Sequence, residues 1–125
     1  MTEIESKVYN EAYRQVEYFG TFLRNPGESL TCRYSEVASK LLKDGIPEDS
    51  VKRAVRSLAN AGRIKIVRII HLHDDLGRFL YLEDGSKATN AVLTLSQADL
   101  DAIEATRAKK ERVRREHIIS IKTLS

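Results

Sequence analysis

Cysteine, tryptophan and proline are the scarce residues of this 125-residue chain: one, none and two copies. A single thiol, Cys32, excludes an internal disulfide and offers no thiolate cluster for a metal. No stretch approaches the roughly 18 consecutive apolar residues of a membrane-crossing helix. Residues 1–7 are acidic and polar, without the basic start and apolar core of a signal peptide. There is no glycine-rich phosphate loop, no nucleophile elbow and no HExxH motif. The acids between residues 74 and 104 are scattered rather than paired at a fixed interval. These absences lead to the expectation of a chain that is not an enzyme, holds no cofactor or metal, and works in a reducing cytoplasm. At this length one domain is expected, spanning residues 1–125.

The net charge of +3 hides a strong division. Residues 31–70 hold nine bases against four acids, and residues 106–125 seven against two. Residues 71–105 reverse the balance, with two bases against seven acids. Charge must be local to act on a polyanion, because physiological salt screens it beyond about 8 Å. The central segment and the tail are the candidates.

Hydrophobic spacing divides the chain into elements. Thr2 and Glu5 form a capping box, and Ile4, Val8, Ala12, Val16 and Phe19 recur on one helical face, predicting a helix over about 3–23. Asn25, Pro26 and Gly27 end it. Ser35 can cap a second helix, about 36–43, that buries Val37, Ala38, Leu41 and Leu42. After a turn at Asp44 and Gly45, Pro47 opens a third, about 47–61, which stops at Gly62. Its apolar stripe is Val51, Ala54, Val55, Leu58 and Ala61. A β-branched run from Ile64 to Leu72, a turn at Asp74, Asp75, Leu76 and Gly77, and a return through Phe79 to Leu82 predict a hairpin over about 64–82. Residues 91–95 suit a further short strand. Ser96 and Asp99 cap a last helix, about 97–117, whose stretch from Arg107 to Glu116 is almost wholly charged. No internal repeat is visible in the sequence.

Helix, tight turn, helix, hairpin is the order of a winged helix-turn-helix, here with extra N-terminal and C-terminal helices: an α+β, mostly helical fold. Such modules lay the second helix of the pair in the major groove. Arginine suits guanine O6 and N7, while lysine suits phosphates. The candidate DNA contacts are Ser50, Lys52, Arg53, Arg56 and Asn60 on the third helix, with Arg63, Lys65, Arg68 and Arg78 behind it. Arg53 and Arg56 are the expected base readers; Lys52, Lys65 and Arg68 the phosphate contacts.

Residues 35–82 resemble the winged-helix domain of bacterial, plasmid and phage transcription regulators. The likeness rests on Ser35, Glu36, Val37 and Ala38, then on the run from Ser50 through Lys52, Arg53, Arg56 and Asn60 to Gly62, Arg63 and Ile64. The layout with a helix before and a long helix after is similar to small dimeric regulators of the MarR and PadR kinds. That resemblance implies a homodimer held by the first and last helices and acting on a palindromic site.

Two other readings stand beside sequence-specific binding of double-stranded DNA. Winged helices also serve as protein-interaction modules, as adaptors or inhibitors, and the acidic turn, the tyrosines of the first helix and the apolar C-terminus suit that role. The basic tail, 107–115, suits RNA. His71 and His73 share one face of the hairpin but lack a third ligand at a fixed offset, so they are expected to be polar surface residues. Cys32 is expected to be a buried structural thiol.

Overall fold

The computed structural model describes residues 1–19 and 30–109. In chain order it has α1 (Glu3–Tyr18), β1 (Cys32–Arg33), α2 (Tyr34–Lys43), α3 (Glu48–Asn60), β2 (Ile64–His71), β3 (Thr89–Leu95) and a fourth helix, α4, over 97–109. The architecture is α+β: among the described residues, four helices and a three-stranded antiparallel sheet in the order β1-β3-β2. The expected ends of the first and last helices, the turn at Pro26 and the tail beyond residue 109 lie outside the described residues. No helix among the described residues is long and apolar enough to cross a membrane.

Local chemistry sets the helix ends. The Thr2 hydroxyl accepts the Glu5 amide at 3.1 Å, as the capping box requires. At the end of α2 the Ile46 amide donates to Leu41 O and Gly45 to Leu42 O; at the end of α3 Arg63 donates to Leu58 O and Gly62 to Ala59 O. Both are Schellman closures, which satisfy the last carbonyls and fix the exit of the chain. Ser96 caps α4, its hydroxyl facing both the amide and the carboxylate of Asp99.

The start of α2 differs from expectation. The helix begins at Tyr34, one turn position too early for Ser35 to be its cap, and Arg33 at the N-cap offers no side-chain bond. The cap comes instead from β3: Asn90 Oδ1 accepts the Ser35 amide at 3.0 Å and Asn90 Nδ2 donates to Ser35 Oγ at 2.8 Å. A residue 55 positions away does what local sequence was expected to do.

One apolar cluster joins these elements. Val8 and Val16 of α1, Val37 of α2, Val51 and Leu58 of α3, Ile64 and Leu93 of the sheet and Ile103 of α4 are almost completely buried together. Each such side chain contributes about 1.5–3 kcal/mol by leaving water. Leu42, expected inside, is 63% exposed, because Val37, Ala38 and Leu41 already fill the inward face of α2. Ala61 is exposed as well, since α3 has ended there.

The hairpin is also longer than expected. The partner of β2 is β3, from Ile64 opposite Leu95 to His71 opposite Thr89, with a bulge between Ile66 and Arg68. Residues 78–82 are not the return strand. They belong to an arm, residues 72–88, inserted between the two strands. The arm folds as two small hairpins, bridged at His73 with Phe79 and at Tyr81 with Lys87. At their junction Leu72 N–H donates to Ala88 O, Ala88 N–H to Leu80 O and Leu80 N–H to Leu72 O, closing a ring of three bonds at 2.8–3.0 Å. Each hairpin then repeats the other eight residues on: Asp74 N–H to Arg78 O and Leu82 N–H to Ser86 O, Gly77 N–H to Asp74 O and Gly85 N–H to Leu82 O. Gly77 and Gly85, with φ of +79° and +86°, take the left-handed conformation these turns require. The arm is therefore an internal repeat of the backbone that its side chains conceal.

Candidate nucleic-acid interface

α3 is amphipathic by spacing, so burying one side dictates what the other presents. Val51, Ala54, Val55 and Leu58 are buried. At about 100° per residue, Arg53, Arg56 and Asn60 fall within about 30° of the opposite direction, and all three are exposed. Lys52 flanks them, paired with Glu48 at 3.6 Å one turn back. Arg53 Nε makes a long 3.4 Å contact with Asp49 O. Ser50 is half-buried on the other flank, in a shallow groove shared with Thr2, Ile4, Glu5 and Ser57. Four of the nine candidate contacts thus form one surface on α3, with Ser50 at its margin.

The other four are elsewhere. Arg63 follows the helix and lies over the ring of Tyr9, 4.8 Å from its centroid. Tyr9 in turn donates a short hydrogen bond to Asp99, the first-turn partner of the Ser96 cap on α4. This clamp ties α1, the end of α3 and the start of α4; burial and the Asp99 carboxylate raise the Tyr9 pKa while Arg63 opposes them. Lys65 and Arg68 stand opposite Thr94 and Val92. Strand alternation puts them on the sheet face away from Ile64, Leu93 and Leu95, which join the core. Arg78 is in the arm, its guanidinium 2.9 Å from the Asp74 carboxylate.

The remaining chemistry-bearing residues have structural surroundings. His73 stacks on Phe79 with centroids 4.5 Å apart, His71 meets the same ring edge-on at 5.9 Å, and the Lys87 ammonium sits 3.9 Å from its centroid on the arm. Among the described residues no three His, Cys, Asp or Glu side chains gather. Cys32 is buried, and burial, then the Glu36 and Glu11 carboxylates, push its thiol up to about 12. Tyr34 is pushed up to about 12 as well, by burial and by Glu48.

Sequence reasoning missed two residues that tie elements together from a distance: Asn90, which caps α2, and Tyr9, which holds Arg63 at the end of α3. The signal for Tyr9 was its place beside the α1 stripe; Asn90 carried none, since a polar residue before a strand reads as a loop. The protein-family models and the curated proteins compared with this sequence include no match.

Proposed function

We propose that this chain binds double-stranded DNA sequence-specifically as a winged helix-turn-helix transcription regulator, with α3 in the major groove. The observation that carries the reading is the outward trio Arg53, Arg56 and Asn60 on a helix braced by a buried stripe. The order α1, β1, α2, α3, β2, β3, with β3 between the other strands, is the order expected of that architecture and supports it. Arg53 and Arg56 can each give two parallel hydrogen bonds to guanine, Asn60 can pair with adenine, and Lys52 can exchange Glu48 for a phosphate. Lys65 and Arg68 belong to the sheet, on its face away from the core, and Arg78 to the arm, where it pairs with Asp74. The arm, with Asp74, Asp75, Glu83 and Asp84 against Arg78 and Lys87, would be repelled by phosphates, so readout rests on α3.

Selection of bound duplexes from a random pool tests this. The wild type should enrich one consensus, and Arg53→Ala/Arg56→Ala should not. Arg56→Ala alone should cost about 1–3 kcal/mol and relax preference at one base pair. Binding to mixed duplex should appear at low salt and fall steeply as salt rises.

A second reading, a protein-interaction module, is favoured by one observation: the arm exposes Leu76, Phe79, Leu80, Tyr81 and Leu82. Absence of any duplex binding at low salt would select it.

A further inference from the structure

We infer that two copies of this chain associate through β2 and the arm, laid antiparallel so that the acidic arm of each covers the basic root of the other. Twelve large hydrophobic residues are exposed among the described ones, and eight of them fall between Ile66 and Leu82. So dense an exposed apolar surface on one projection marks an interface. The projection is not a loose loop: its three-bond ring and two closed turns hold it in one shape before any partner arrives.

Charge selects the occupant. The root of β2 carries Lys65 and Arg68 with no acid between Asp49 and Asp74, whereas the arm carries Asp75 and Glu83. All four side chains are exposed, and none makes an ion pair among the described residues. Root and arm cannot neutralise one another within a copy. Arg68 lies three residues before the end of β2 and seven before Asp75, on the order of 20 Å along a near-extended run at 3.3 Å per residue, well beyond the screening length of about 8 Å. A projection positive at one end and negative at the other is self-complementary only when its partner runs the opposite way. A twofold axis near His71, where β2 passes into the arm, supplies that arrangement and closes the assembly at two copies. The exposed Ile66, Ile69 and Leu82 then lie in the contact. Of the first and last helices, the dimer face expected from the resemblance, α1 buries Val8, Ala12 and Val16 within the chain and exposes Ile4 and Tyr18.

The inference does not depend on DNA binding and is tested without DNA, by sedimentation of the full chain. The wild type should sediment as a dimer. Lys65→Glu/Arg68→Glu and Asp75→Lys/Glu83→Lys should each weaken association about tenfold or more, and an equimolar mixture of the two should restore a dimer. Restoration also demonstrates that both variants are folded. Leu82→Glu, at a residue 55% exposed in one copy, should be monomeric and folded, with a thermal midpoint that no longer rises with protein concentration as the wild type's does. A monomeric wild type, swap variants that remain dimeric, or a mixture that stays monomeric would each overturn the inference.

Discussion

The helical body and the arm hold their shapes by different means. In the body, side chains from all four helices and the sheet share one buried cluster. In the arm the large apolar side chains are exposed, and order comes from backbone hydrogen bonds, two left-handed glycines and two aspartates. Asp74 Oδ1 accepts the amides of Leu76 and Arg78, and Asp84 Oδ1 the amide of Ser86. The body is therefore sensitive to side-chain volume and indifferent to most turn chemistry. The arm should be the reverse, which leaves its side chains available for recognition.

Truncations of equal size should separate the two regions most widely. Leu58→Ala, at a residue 1% exposed, should lower stability by about 2–5 kcal/mol in urea unfolding. Leu80→Ala, at a residue 41% exposed, should change it by less than about 0.5 kcal/mol. Equal losses would mean that the arm shares the core of the body.

Backbone substitution should invert the order. Gly77→Ala or Gly85→Ala forces a side chain into a left-handed turn at about 1–2 kcal/mol, although no atom stands in the way. The loss should appear as faster exchange of the Leu72, Leu80 and Ala88 amides, with the melting of the body almost unchanged. Asn90→Ala should cost the body about 1 kcal/mol by removing the distant cap of α2. Its exchange signature should be confined to the first turn of α2.

Acid and base should act on opposite regions. Backbone amides, that of Arg78 first, lower the folded pKa of Asp74. Its contribution is thus present above the ordinary carboxylate range and is lost as pH falls through the folded value. The resonances of Leu76 and Arg78, whose amides Asp74 holds, should shift at a lower pH than an ordinary carboxylate titrates, and Asp74→Asn should remove that step. Cys32 is the converse: its folded pKa is raised to about 12, so the stabilisation holds below the ordinary thiol value and is lost as pH rises above it. A thiol reagent at mildly alkaline pH should label Cys32 only as the body unfolds, and Cys32→Ala should blunt the alkaline loss of stability.

How much was legible follows from the same comparison. The 3.6-residue spacing and the caps at Thr2, Pro47, Gly62 and Ser96 located α1, α3 and α4, and with them the outward set Lys52, Arg53, Arg56 and Asn60. The stripe of α2 was legible except at Leu42, where burial depends on how much of the face its neighbours cover. The hairpin was misjudged because Phe79, Leu80, Tyr81 and Leu82 read as a strand. Their propensity is real, but the nearer turn only closes a small hairpin, and pairing with β2 falls to residues 89–95.

The positions of α1 and α3, the closures at the ends of α2 and α3 and the face that α3 turns outward were settled by the chain itself, since they rest on contacts within a few residues. Only the tertiary structure decided that Asn90 caps α2, that Arg63 is held by Tyr9, that Lys65 and Arg68 stand on the sheet face away from the core, and that residues 72–88 stand out as an arm. Each of these joins groups distant in sequence or hangs on strand register, and register depends on which of several similar β-prone runs gains the most pairing and burial.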